Sequence, residues 1–433
     1  MARPTRRGGK PTSQEVTEHR AKAPDAILAR QRKLLLPGGP KIGFVTLTPF
    51  QFQSSILEAA RGKLEALDNS FGRASSSDGG KTWKGYAVMK EFRARRRGHQ
   101  ADAAYSNGWI RLPSGRIGLS WTERGTVAGG HNFVRLWWRT SDDKGRTWSK
   151  DVPINPTGWP GEPYHDTLRL TSKGRLLLPV RSCTSAGQTA YDTAAKGAGW
   201  YRGKKEDVEG HGHFPEMDIT FVYFSDDEGK TWARCEGELM GWPYNGWGNY
   251  VACDEPNIEE VRDGRLLILM RTTIGRLLGA WSSDQGHHWT IPAPTMLASS
   301  YSPCALKRIP STGDLMCVWN QVSSDEIRLG YRRGRLSVAI STDGETWCCC
   351  KTIERHGILQ ERSYVPPEEK LQLARALSDV GELHADWGVS DYPTINFHGD
   401  DVLLGYVQVK GLKTALVSSH KLRVIPLDWF YSD

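Results

Sequence analysis

Long apolar runs are missing from this 433-residue chain. None approaches the roughly 18 residues that a membrane-crossing helix needs, so no membrane span is expected. The basic start, Met1 to Lys10, has no apolar segment behind it and does not read as a secretory signal. That reading leaves a cytoplasmic or particle-associated location. Cysteine is sparse as well: the chain has eight, none in a Cys-x-x-Cys pattern, which argues against a zinc ribbon or a disulfide framework. Cys348, Cys349 and Cys350 are consecutive, and neighbouring side chains on a strand point to opposite faces. The triplet is therefore expected to hold three separate thiols. The close pair His211 and His213 reads as a polar loop, so neither a metal nor a cofactor is expected.

Strong charge of one sign is absent from most of the chain too. The net charge is +8, but residues 1–40 carry nine Lys/Arg against three Asp/Glu and account for +6 of it. The body at +2 is a poor match for nucleic acid. The first 40 residues read as a basic, flexible or docking N-terminal arm. Within it Asp25 to Leu36 has the pattern of a short amphipathic helix stopped by Pro37, which favours contact with a second copy or a larger assembly.

What the chain does have is one turn motif repeated five times. It reads Ser76-Ser-Asp78-Gly-Gly80-Lys-Thr82-Trp83, then Ser141 to Trp148 and Ser225 to Trp232. A fourth copy, Ser282 to Trp289, has His288 in the Thr slot, and a fifth, Ser341 to Trp347, is one residue shorter. The serines are 65, 84, 57 and 59 residues apart, a period too loose for a solenoid and right for a radial array of small sheets. In each copy the Asp accepts backbone amides of its own turn and a Gly takes the positive φ. The Trp is placed to fill a seam between sheets.

Strands of the form glycine-then-apolar begin at Gly115, Gly174, Gly264, Gly313 and Gly399. Gly43 to Thr48, ahead of the first repeat, makes a sixth and so six blades, with the chain ends closing the ring. Two insertions interrupt the rhythm, residues 184–218 and 353–390, the second with a helical pattern over Glu368 to Leu377. Channel-lining strands begin upstream of each glycine. The residues there are His99 and Asp102, His165 and Asp166, Asp254 and Glu255, Ser302, and Tyr392. Arg181 and Arg271 each follow their glycine by seven residues and so occupy equivalent places in two blades. Arg333 is a third candidate, with Arg332 and Arg335 as rivals. Converging guanidiniums bind a carboxylate bidentately.

The five repeats resemble the Asp-boxes of the sialidase-like β-propellers, the neuraminidase or BNR-repeat family. The segment from Asp254 and Glu255 to Arg271 looks much like the corresponding strand of that family, and Tyr392-Pro-Thr-Ile395 looks like its tyrosine segment. The resemblance implies an all-β, six-bladed propeller over residues 41–433, with the boxes remote from the active site. It implies an exo-α-sialidase-like glycosidase that acts with retention on a terminal acidic sugar. Tyr392 would be the nucleophile, Glu255 its base, Asp166 or Asp102 the acid/base. Arg181, Arg271 and Arg333 would clamp the sugar carboxylate, with His165 and Asp254 beside them. The family's Phe/Tyr-Arg-Ile-Pro segment is missing. Arg181 stands in for its arginine by blade position, and Arg95 to Arg97 is the rival. Two other readings stay open. One is a polysaccharide lyase on uronate-containing glycans, with His and Tyr as base and acid. The other is a non-catalytic glycan-binding or structural propeller within a larger assembly such as a virion.

Overall fold

The computed structural model describes residues 42–432, apart from 51–53, 96–102, 127–131, 156–160, 185–197, 202–203, 208–216, 242–252, 273, 324, 327–332, 361, 368–387 and 411–416. The N-terminal arm, His99, Asp102, Arg97, Arg332, His211, His213 and the helical pattern over 368–377 lie outside the described residues. Of the 184–218 insertion, one two-stranded hairpin is described, Ala198–Tyr201 with Lys204–Asp207.

Six antiparallel sheets form a β-propeller. Blade one runs through Ser54–Ala60, Lys63–Asp68, Gly72–Ser76 and Lys84–Val88. Blade two is built from Ala103–Arg111, Ile117–Thr126, Asn132–Ser141 and Val152–Pro153. In blade three two short inner strands, Glu162–Pro163 and Arg169–Leu170, both pair with Leu176–Thr184, and Met217–Ser225 and Ala233–Arg234 follow outward. Blade four holds Asp254–Glu260, Leu266–Arg271, Arg276–Ser282 and Ala293–Ala298; blade five holds Ala305–Arg308, Leu315–Trp319, Arg335–Ser341 and Cys348–Arg355.

Blade six corrects one detail of the sequence reading. Its first three strands, Gly388–His398, Asp401–Lys410 and Val417–Pro426, are completed by Phe44–Leu47. The Gly43 to Thr48 segment therefore closes the last blade from outside, with Phe44 opposite Val424, instead of opening the first. Blade one has its own second strand at Lys63–Asp68, which the glycine rule missed because Gly62 is followed by a charged residue. A short helix, Leu427–Tyr431, ends the described chain.

The second strands of blades four and five are buried at every position because their neighbours cover them on both faces. The resulting cores lie in the seams. One large cluster joins blades two, three and four through Leu136, Trp138, Leu178, Phe221 and Ile268. Others join four to five around Trp319 and Leu267, and five to six around Val338 and Leu404.

The five boxes are built alike. In the second, Gly145 N–H donates to Ser141 Oγ at 2.8 Å, Thr147 N–H to Asp143 Oδ1 at 2.8 Å, and Thr147 Oγ1–H to Asp143 Oδ2 at 2.7 Å. In the fourth, His288 Nδ1 takes the hydroxyl's place, 2.6 Å from Asp284 Oδ2. The Trp rings pack into the seams, as Trp232 does edge-on against Trp138 at 5.5 Å.

Candidate active site

Two tripeptides of the same form shape the channel mouth, Asp254-Glu255-Pro256 in blade four and Asp391-Tyr392-Pro393 in blade six. In each, the aspartate Oδ1 accepts the N–H of the next residue, from Glu255 at 2.7 Å and from Tyr392 at 2.8 Å. Each inner strand slips register at that point, between Asp254 and Asn257 and between Asp391 and Thr394. The bulged residues take left-handed backbone angles, φ +42° at Glu255 and +53° at Tyr392, which costs of order 1–3 kcal/mol for a side chain of this kind. The bulge breaks the in–out alternation of the strand and re-aims one side chain per blade.

The second oxygen of each aspartate faces arginine. Asp391 Oδ2 pairs with Arg333 Nη1, and Arg333 also donates Nε–H and Nη2–H to Tyr301 O, at 3.1 and 2.6 Å. Asp254 lies between two guanidiniums, with Oδ1 3.0 Å from Arg181 Nε and Oδ2 3.7 Å from Arg271 Nη1. Arg271 pairs closely with Glu255 Oε2, and its Cζ sits 3.7 Å above the Tyr301 ring. Arg181 has a second acid, Asp218, at 3.4 Å. Tyr392 lies under Arg333, 5.9 Å from Cζ to ring centroid, and stacks on Tyr164 at 5.9 Å and 24°. Blades three and six stand opposite one another in a ring of six, so this stack spans the mouth.

Burial governs the titration of the two bulged groups. It raises the Glu255 carboxyl above the ordinary glutamate value; Arg271 opposes the rise and Asp254 reinforces it. The Tyr392 phenol is pushed up to about 12, by burial first and then by the charge on Glu255, with Arg333 pulling the other way. The two groups therefore feel one another electrostatically, and each resists charging.

The predicted residues fall into two groups. Tyr392, Glu255, Asp254, Arg181, Arg271 and Arg333 come together. Asp166 sits in the turn between the two short strands of blade three, at φ +54°, and its Oδ2 is 3.4 Å from Lys307 Nζ. Lys307, on the inner strand of blade five, is also 3.5 Å from Asn396 Oδ1 of blade six. Asp166 thus belongs to a cluster strung across the channel. His165 is buried beside it, and Ser302 is buried at the start of blade five. Arg335 is no rival for the site: it is buried and forked onto Glu326 at 2.7 and 2.9 Å. Sequence reasoning missed Tyr301, Tyr164, Asp218, Lys307 and the role of Asp391. The repeated Asp-x-Pro was a usable signal for the last. Among the described residues no group of three or more His, Cys, Asp or Glu is placed to hold a metal ion, and no helix is long and apolar enough to cross a membrane.

A six-bladed propeller with Asp-box hairpins and an arginine-rich channel mouth is the class that this geometry defines. The model of the BNR repeat-like domain family matches residues 91–408, more than half of the chain, and the chain belongs to that family. No curated protein matches it. Among solved structures, a protein of unknown function from Dyadobacter fermentans is similar at 14% identity and a TM-score of 0.52, over 90% of this chain and all of that one. The Hadza microbial sialidase Hz136 is similar at 15% identity and a TM-score of 0.51, over 87% of this chain and 65% of that one. The chain thus spans just under two thirds of that sialidase. At these identities the likeness is one of fold.

Proposed function

We propose that the protein is a glycoside hydrolase that releases a terminal acidic sugar from a glycan, with sialic acid the first sugar to test. The observation that carries this reading is the matched pair of bulges. They bring a phenol and a carboxylate, both resistant to charging, to one mouth beside Arg271 and Arg333.

Tyr392 Oη attacks the anomeric carbon as its proton passes to Glu255, and the leaving-group oxygen takes a proton from Asp166. A water then reverses these transfers and frees the sugar with net retention. A phenol near pKa 12 is a poor nucleophile alone, so proton transfer must accompany bond formation. The raised Glu255 carboxyl is the stronger base for being buried. Arg181, Arg271 and Arg333 hold the sugar carboxylate, with Asp254 fixing two of them and His165 at the edge.

A second reading rests on charge. The three arginines already face Asp218, Asp254, Glu255 and Asp391, so an incoming carboxylate has to displace one of these contacts. That balance weakens the carboxylate clamp on which cleavage rests, and it leaves the propeller as a glycan-binding or structural surface.

The test is release of 4-methylumbelliferone from its sialic acid glycoside by wild type and by Tyr392→Phe. Turnover that is lost in the variant supports the hydrolase. Glycan binding without turnover by the wild type overturns it in favour of the second reading. Ultraviolet-absorbing products from a uronate polymer would instead indicate a lyase.

A further inference from the structure

The outer strand of blade five, Cys348–Arg355, follows directly on the fifth box and holds thiols that the site chemistry leaves unused. Regular alternation would put Cys348 and Cys349 on opposite faces, as expected from the sequence. The strand is not regular there. Its pairing with Arg335–Ser341 slips between Val338 and Ile340, and Cys349 adopts a left-handed backbone at φ +52°. The result is that Cys349 Sγ lies 3.4 Å from Cys348 Sγ. Cys350 turns elsewhere, with its Sγ 3.7 Å from Gln321 Oε1. Cys348 is exposed and Cys349 is half-buried.

We infer that Cys348 and Cys349 form a vicinal dithiol, a modification site that closes to a disulfide under a hydroperoxide. The Cys348 thiolate attacks one oxygen of hydrogen peroxide and becomes a sulfenic acid; the second oxygen leaves as hydroxide and becomes water by taking up the proton that the thiol released. The Cys349 thiol then displaces water from that sulfur and forms the S–S bond. Two thiols are oxidised by one electron each, and one peroxide is reduced to two waters.

Geometry sets the properties of this bond. Neighbouring Cα atoms are about 3.8 Å apart, short of the roughly 4.4–6.8 Å that disulfides usually span. The closed form is therefore strained and easily reduced, as labile regulatory disulfides are. The left-handed Cys349 already supplies part of the backbone distortion. The Cys348 thiol is pushed up to about 11 by burial, by its contact with Cys349 and by the charges of Asp314 and Asp343. Thiolate is thus scarce at neutral pH. Closure is therefore expected to speed up as the pH rises toward that value.

The experiment treats the full-length protein with hydrogen peroxide, alkylates the remaining thiols and maps the peptides by mass. The expected product is a peptide holding residues 348–350, lighter by two hydrogens, alkylated at Cys350 alone, and restored by a dithiol reductant. Cys350→Ser retains it, and Cys348→Ser and Cys349→Ser abolish it. Phenylarsine oxide, which needs two adjacent thiols, should protect the same pair at one-to-one stoichiometry and be displaced by a dithiol. Sulfinic acid at Cys348 with Cys349 still alkylated would overturn the inference, and so would a bridge that survives Cys349→Ser. Cys348 is at the surface, so its Ser variant tests the chemistry without threatening the fold.

Discussion

At the scale of single residues, Asp391 has the most to do for its size. One carboxylate oxygen fixes the backbone of Tyr392 and the other holds Arg333. Removing it as Asp391→Ala leaves a guanidinium only 20% exposed without its anion. The cost expected is about 2 kcal/mol, below the ~3–5 kcal/mol for a fully buried pair, read from the denaturant midpoint. His288 offers a second test at this scale. Its ring stands where other boxes have a Thr hydroxyl, and Asp284 first, then Glu236, raises its pKa above the usual 6.5. A raised histidine stabilises the fold fully below its unfolded pKa, and the contribution is lost as pH rises through the folded value. The thermal midpoint of the wild type should fall over that window, and that of His288→Thr should not, since a hydroxyl donates at every pH. Equal pH dependence in both proteins would rule the switch out. Single residues also mark where sequence reading ends. The boxes and the Glu255 to Arg271 segment were legible because each is a local pattern, the boxes a repeated one. Lys307 and Tyr301 were not, since one sits in an ordinary strand and the other in the bend before it, and each gains its partners only when distant blades meet.

At the scale of elements, the same split recurs. In blades two to six the second strands could be read from their glycines and apolar runs; blade one's could not, and Gly43 marked an outer strand instead. The bulges could not, because alternation predicts where side chains point only while the register holds. One box turn is built to a tight tolerance. Gly229 has φ +86°, and a Cβ there would come within 2.0 Å of Trp138 Nε1 in the seam between blades two and three. Gly229→Ala is expected to cost about 2 kcal/mol or more, from backbone strain and overpacking together. Far from the mouth, it should leave catalytic constants per folded molecule unchanged. Calorimetry alongside the sialoside assay separates the two effects.

At the scale of the whole molecule, the ring is held shut by Phe44–Leu47 on Val417–Pro426. A chain begun at residue 41 keeps this strand and should match the full-length thermal midpoint. One begun at residue 49 loses it and exposes the edge of blade six. It should melt earlier and aggregate, as size-exclusion chromatography would show. If both truncations behave alike, the closing strand contributes little. The closure carries a further consequence, in time rather than energy. Phe44–Leu47 leaves the ribosome long before the strand it pairs with. At ~5–20 residues per second, that strand waits from about twenty seconds to a little over a minute for Lys421 to Val424 to be made. Throughout that interval the nascent protein carries an unmatched β-edge, and each molecule must complete its own circle before a neighbour on the same message offers a substitute.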